Sequence, residues 1–381
     1  MDEKVNMIPN ISDKEFLSGG VIESSTYGIS RLNEASILSI LRDTLYTDKI
    51  LAVLREYGAN AWDSHRMCGK ADLPVKITLP TTMEPTLSIR DYGDGMDQET
   101  VLQRYTQYGD SSKRTTNLAV GTLGIGCKCG FAYADSFTVT SWHNGMKKIY
   151  AAVLDKTDKG IMSLLHYEEC GEETGIEINI AVKPDDIPDF ESRAKNLFQY
   201  FSPRPVINLE LPEPPAKQRV LKNGKLFANY DIEYGRRGWT AVMGCIPYRV
   251  DISQLRHGES KQLPVQVERV SGVLNFDIGE VQVNASREEL KYTDNTKLAL
   301  IAKIEALIDE FVQTTMADIK DSSTSPWDRR IRTRSFHYMG ILPTDMANSG
   351  LGDSSVILKG HPDTFHFRNP RSKHAPSSLS I

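Results

Sequence analysis

Four strand-like runs, "SFTVTSW", "KKIYAAV", "MSLLHY" and "GIEINIA", follow one another between residues 136 and 181 with no helical pattern between them. Such a stretch needs a sheet, and the first two runs are joined by "HNG", a hairpin turn. Two earlier runs, "VKITL" and "TLSIR", alternate apolar and polar residues as strands buried on one face do, and they stop abruptly at "DYGDG". Helical patterns flank them. In "NEASILSILRDTLY" the apolar residues Ile37, Leu38, Leu41 and Leu45 recur at helical spacing, as do Ile50, Val53, Leu54 and Tyr57 in "TDKILAVLREYGANAWDSHRMCG". Thr47 is the expected N-cap of the second helix. A short helix is expected near 97–107, and "DIPDFESRAKNLFQYF" closes this first unit.

Prolines at 203, 205, 212, 214 and 215 then mark a stiff connection. A second unit, from about 218 to 320, offers strands in "KQRVLKN", "WTAVMGCIPYRV", "QVERVSGVLNFDI" and "GEVQVNA". It ends in a long amphipathic helix, "NTKLALIAKIEALIDEFVQTTM". From 321 to 381 the character changes: eight Lys/Arg stand against five Asp/Glu, and four of the chain's eight histidines lie there. This is expected to be a basic, mostly irregular arm, with "MGILP" and "SSVIL" as short docking elements. The formal charge of −5 for the chain leaves −8 on residues 1–320, which argues against nucleic-acid binding by bulk electrostatics. No run approaches the length of a membrane span, and the polar N-terminus does not read as a secretory leader. A cytosolic protein with reduced thiols is therefore expected. Cys127 and Cys129 form a C-x-C pair without a matching Cys/His pair at ligand spacing, so they read as small buried hydrophobes rather than half a metal site.

Three short boxes carry the chemistry. In "REYGANAWD" a helix would place Glu56, Asn60 and Asp63, at i, i+4 and i+7, along one face. That stripe is either a solvated face or the wall of a cavity. In "DYGDGM", Asp91 could accept a hydrogen bond from an exocyclic amine while Gly93 and Gly95 let the chain pass close to a flat ring; a plain tight turn would explain the same glycines. In "GTLGIGCKCGFAYAD", Gly121, Gly124, Gly126 and Gly130 lead into a small-residue helix expected to begin near Ile125, where backbone N–H groups could converge on an anion. Close packing of that helix on a sheet would ask for the same residues. The spacing is not that of the G-x-x-x-x-G-K-[ST] phosphate loop.

In this order the boxes E-x-x-x-N-A-x-D, D-x-G-x-G-M and G-x-x-G-x-G, followed by T-G-x-E-I at Thr174, resemble the GHKL ATPases: gyrase, the ninety-kilodalton heat-shock chaperone, histidine kinases and MutL. The resemblance implies an α+β fold, a two-layer α/β sandwich of the Bergerat type followed by a smaller α/β domain. The units would be a strap over 1–28, an ATP-binding domain over 29–202, a Pro-rich linker over 203–217, a transducer-like domain over 218–320 and the arm over 321–381. It implies ATP and Mg2+ as ligands. By position, Asn60 resembles the Mg2+ ligand and Glu56 the general base that activates water. Histidine kinases usually lack that carboxylate, so Glu56 favours hydrolysis. Asp63 belongs to the same nucleotide-facing box. Asp91 corresponds to the adenine-amine acceptor, with Thr174 supporting it through water. Gly93, Gly95 and Met96 would line the base, and Gly121, Gly124 and Gly126 would wrap the phosphates. Lys128 is either a phosphate contact or a solvent-facing lysine. "YGDSSKR" resembles the lid, with closure over 109–120. "VNASREEL", residues 283–290, is similar to the segment by which the chaperone's middle domain sends an arginine to the γ-phosphate, making Arg287 the candidate sensor. Its alternative is an ordinary pairing with Glu288 or Glu289.

Residues 30–310 are most similar to the N-terminal half of phage rIIA-type proteins, factors of rapid lysis and exclusion in large tailed phages. On that resemblance the chain is a slow ATPase switch acting on a partner protein, with a nucleotide-dependent homodimer closed by the strap. Two other classes compete: a DNA clamp of the MutL or topoisomerase kind, disfavoured by the acidic body, and a host-protein-binding factor that uses ATP only as a structural ligand.

Overall fold

The computed structural model describes residues 44–106, 126–156, 159–212, 219–222, 224–228, 238–256, 265–268 and 270–320, with scattered positions beyond, among them 364–367 and 377–380. The strap, the first expected helix up to residue 43, Gly121, Gly124 and the lid lie outside the described residues.

Helix α1, Lys49–Met67, is the central element of the first unit. Its N-cap is Asp48, one residue beyond the expected Thr47: the Asp48 carboxylate accepts the Leu51 N–H at 3.0 Å. Aspartate in extended backbone satisfies an orphan donor that the helix cannot. A seven-stranded sheet lies beside α1. It comprises β1 (Lys76–Thr78), β2 (Thr86–Arg90), β3 (Ser136–His143), β4 (Met146–Leu154), β5 (Gly160–Glu169), β6 (Gly175–Ala181) and β7 (Val206–Ile207), in the order β5-β4-β3-β6-β2-β1-β7. Every pairing is antiparallel except β1 with β7. The β3–β4 hairpin turns at Asn144 (φ 50°) and Gly145 (φ 73°), as "HNG" predicts. The connection expected at 203–217 also carries the edge strand β7.

Leu87 and Ile89 of β2, Ile178 and Ile180 of β6 and Val139 of β3 share one face by register and are buried. Helices cover that face: α1 and α3 (Ile187–Phe198), with the four-residue α2 (Gly130–Tyr133) between them in sequence. At Gly58 of α1 the absence of a side chain admits Phe198 of α3, and Trp62 Nε1 donates to the Ser202 carbonyl at 3.0 Å. Most of α1 is buried on both sides, so the expected division into an apolar and a polar stripe understates its enclosure.

The second unit holds a five-stranded sheet in the order β11-β10-β12-β9-β8. Its strands are β8 (Arg219–Leu221), β9 (Gly224–Ala228), β10 (Trp239–Met243), β11 (Ile246–Val250) and β12 (Val270–Phe276). The stretch 239–250 splits into two antiparallel strands at Gly244, whose φ of 65° permits the reversal. "GEVQVNA" forms no strand: only an isolated bridge joins Val283 to Leu290, because this segment is the stem of a turn. Helix α4 (Ile252–Arg256) precedes β12, and α5 (Asp294–Lys320) buries Leu300, Ile304 and Leu307. Within the arm, expected to be mostly irregular, β13 (Thr364–Phe367) pairs with β14 (Ser377–Ser380); "MGILP" and "SSVIL" lie outside the described residues.

Candidate functional site

The site gathers along α1. Glu56 is 2% exposed, a burial a carboxylate tolerates only when paired. Its Oε1 is 3.2 Å from Arg55 Nε and its Oε2 is 2.8 Å from Arg287 Nη1. Arg287 therefore pairs with neither neighbouring glutamate; it crosses from the second unit to the first. Its backbone is in the left-handed region at φ 59°, a conformation that a non-glycine residue adopts at a cost and that is characteristic of functional sites. Burial alone would lower the pKa of the Arg287 guanidinium, but the charge of Glu56 leads a set of acidic neighbours that raise it. Its Nη2 is buried and has no hydrogen-bond partner among the described residues.

Asn60, one turn beyond Glu56, is half-buried and its amide makes no hydrogen bond among the described residues. Asp63 is fully buried, and its charge acts on Arg287. The three therefore share a face as expected, but its two ends are enclosed rather than solvated.

The turn after β2 meets the C-terminal part of α1. Asp91 is buried, and its Oδ1 accepts the Gly93 N–H at 2.8 Å and the Ser64 hydroxyl at 3.1 Å. Both bonds fall on one oxygen, and the Ile176 backbone adds a further favourable contact to the carboxylate. Burial pushes the Asp91 carboxyl pKa up, against the lowering effect of these two donors. His65 accepts the Tyr92 N–H on Nε2 at 2.7 Å, and its Nδ1 is 2.8 Å from the Leu73 carbonyl. An amide can only donate, so Nε2 carries the lone pair and Nδ1 the proton. Lys70 Nζ donates to the Tyr92 carbonyl at 2.6 Å. Gly95 has φ 70°, and a Cβ there would collide with the Trp142 carbonyl. Met96, half-buried, exchanges main-chain bonds with the buried Ser141 hydroxyl at 2.7 and 2.8 Å. Thr174 immediately precedes β6, between two residues tied to the end of β2 and its turn: the Asp91 N–H donates to the Ile176 carbonyl at 2.8 Å, and Arg90 Nη2 donates to the Glu173 carbonyl at 2.7 Å.

Of the glycine box, Gly126 and Gly130 are described. Gly126 is pressed against the Glu56 carboxylate so closely that a Cβ would collide with Oε2. The hydroxyls of Tyr57 and Tyr105 both donate to the Cys127 carbonyl, at 3.1 and 2.9 Å, and the Gly130 N–H donates to Tyr57 Oη at 3.0 Å. A 3-10 turn, Gly126–Lys128, and the four-residue α2 replace the longer helix expected from Ile125, so a helix dipole contributes little here. Lys128 is buried, with Nζ 5.9 Å from the Tyr105 ring centre, which removes the solvent-facing alternative.

Sequence reasoning passed over Arg55, Ser64, His65 and Lys70, and named Glu288 only as an alternative partner of Arg287. Arg55, Ser64 and His65 sit next to boxed residues on α1, and Glu288 sits next to Arg287. Among the described residues no cluster of three His, Cys, Asp or Glu could hold a metal, none of the five cysteines forms a disulfide, and no helix is long and apolar enough to cross a membrane.

Residues 49–173 match the family model described as histidine kinase-, DNA gyrase B- and HSP90-like ATPase. No curated protein matches the chain. The matched segment spans α1 to the approach to β6, and so contains all three boxes. A large mixed sheet layered with helices, followed by a smaller sheet unit, is the architecture of a GHKL-type α/β sandwich with an appended domain. Sequence match and fold together support the GHKL superfamily of ATPases for this part of the chain.

Proposed function

We propose that the chain binds ATP with Mg2+ along α1, hydrolyses it slowly, and uses the cycle to change how its second unit sits against the first. The observation that carries this reading is the Arg287–Glu56 contact, which joins residues 231 positions apart in the sequence. The partnerless Arg287 Nη2, the Asn60 amide and the buried Asp91 carboxylate fit the groups such a ligand would bring: a terminal phosphate, a phosphate-bound cation and an exocyclic amine.

In this reading Asp91 accepts from the adenine amine, supported by Thr174, while Gly93, Gly95 and Met96 lie against the base. Gly121, Gly124, Gly126 and Lys128 surround the phosphates. Asn60 would hold Mg2+, which when bound offsets phosphate charge; a single amide oxygen suffices because that ion keeps several waters. Asp63 reinforces the field on Arg287. Glu56 takes a proton from water as the water oxygen bonds to the γ-phosphorus and the bond to the β–γ bridging oxygen breaks. To do so it must loosen one of its two guanidinium contacts. That requirement supports slow turnover: an arriving γ-phosphate competes with Glu56 for Arg287, so the base is released when substrate is in place.

The client is a partner protein in this proposal, the active form a nucleotide-dependent homodimer closed by residues 1–28, and the biological setting that of phage rIIA-type factors. Phosphate release measured alongside molecular mass, with ATP and with a nonhydrolysable analogue, tests turnover and dimer closure together. No release above a Glu56→Ala control would remove the hydrolytic step, and an unchanged mass would remove the dimer.

A further inference from the structure

Arg287 reaches Glu56 from a turn that is anchored on α1 at a second point. The N–H groups of Thr47 and Asp48, just ahead of α1, both donate to Glu288 Oε1, each at 3.0 Å, and Glu288 Oε2 lies 3.2 Å from the Thr47 nitrogen. A carboxylate is favoured there by the positive end of the helix, and the helix cannot satisfy these donors itself. Between the two anchors, Arg55 Nη2 donates to the Ser286 carbonyl at 2.8 Å. Adjacent side chains of one turn thus grip points about 12 Å apart on α1, at 1.5 Å of rise per residue between Asp48 and Glu56.

The turn itself is braced. Asn284 Oδ1 accepts the Glu288 N–H at 3.0 Å, the Glu289 N–H at 3.4 Å and the Ser286 hydroxyl at 3.0 Å. The Val283–Leu290 bridge closes its stem. Asp48 is held from the other side by Arg193 Nε of α3 at 2.7 Å, so the ground on which Glu288 rests is fixed within the first unit.

We infer that Glu288 is a positioning residue for Arg287: by capping the α1 entry across the two units, it sets the turn so that the guanidinium arrives at Glu56. This rests on the ATPase reading for its effect on turnover, though not for its effect on the turn. Without Glu288 the turn is held to α1 only around Arg55 and Glu56, and Arg287 loses the anchor that fixes its approach.

The test uses the full chain with Glu288→Ala and Glu288→Gln. Both N–H groups share Oε1, so a glutamine carbonyl can replace it, although the charge and the second Thr47 contact at 3.2 Å are gone. In the Ala variant kcat for ATP falls about tenfold while KM stays within about twofold, and Gln restores kcat to within about threefold of the parent. Unchanged kcat in Ala, a joint shift of kcat and KM, or failure of Gln to rescue would each overturn the assignment. Hydrogen exchange without nucleotide separates this inference from the ATPase reading. Exchange over 47–52 and 284–290 should quicken about tenfold in Ala and not in Gln. If the parent chain proves not to hydrolyse ATP, the ATPase reading fails and exchange alone decides: quickening in both segments upholds the positioning role, and its absence in either refutes it.

Discussion

Arg287 Nη1 lies 2.8 Å from Glu56 Oε2, and Arg55 Nε lies 3.2 Å from the other oxygen of the same carboxylate. Two guanidiniums share one buried carboxylate, and the buried Asp63 adds its charge to the field on Arg287. The contact is also where the second unit meets the element that carries most of the candidate site.

Glu56→Ala is expected to keep nucleotide binding within about threefold while lowering turnover by at least about a hundredfold, the usual scale for a general base. Arg287→Ala should slow turnover by roughly tenfold to a thousandfold with near-normal binding. It should also cost about 2 kcal/mol of stability, because Glu56 keeps Arg55 but loses a buried partner. Single-turnover kinetics and urea unfolding check the two halves separately.

Asp91→Asn should weaken nucleotide affinity by about 1 to 3 kcal/mol, since the amide turns an acceptor partly into a donor. The pH dependence follows from the raised carboxyl pKa, which burial causes. A raised value means that the folded chain holds the Asp91 proton more readily than the unfolded chain does. Its share of stability is therefore fullest below the ordinary aspartate value and is lost as pH rises through the folded one. Nucleotide affinity runs the opposite way, falling as pH drops through that raised value. Thermal unfolding and calorimetric binding across mildly acidic pH, with and without Asp91→Asn, should show both trends vanishing in the variant.

Ser64→Ala and His65→Ala act on the same turn from α1. Loss of the Ser64 hydroxyl removes one of two donors to Asp91 Oδ1 and should weaken nucleotide binding by a few fold. Loss of the His65 ring strands the Tyr92 N–H and the Leu73 carbonyl, at a cost of about 2 kcal/mol. His65→Gln, which can still accept from Tyr92, should recover part of that stability in urea titrations.

Gly126→Ala places a methyl group against Glu56 Oε2. Either the carboxylate or the glycine turn must move, so turnover should drop at least tenfold and stability by about 1 to 3 kcal/mol. Phosphate-release assays on a folded variant, verified by circular dichroism, read this directly.

Much of the first unit is legible in the sequence because its signals are local. Period-two alternation marks β1 and β2, strand-like runs mark β3, β4 and β6, and Asn144-Gly145 fixes a hairpin by turn chemistry alone. Glu56, Asn60 and Asp63 fall into place through helical spacing. What escapes is contact between distant segments. Nothing near Arg287 in the chain tells that it would bypass Glu288 and Glu289 for Glu56, because the choice depends on how the 283–290 turn lands on α1. "GEVQVNA" has a strand's alternation but turns back at Asn284, whose side chain bonds local backbone instead of leaving it for a ladder. Ser64 and His65 read as the polar tail of a helix until the 91–93 turn is seen against them.

The most direct test is calorimetric titration of the full chain with a nonhydrolysable ATP analogue and Mg2+, repeated on Asp91→Asn. One nucleotide should bind per chain, with an affinity clearly reduced in the variant. No heat of binding to the parent chain under conditions where it is folded, or equal affinity in both, would contradict this.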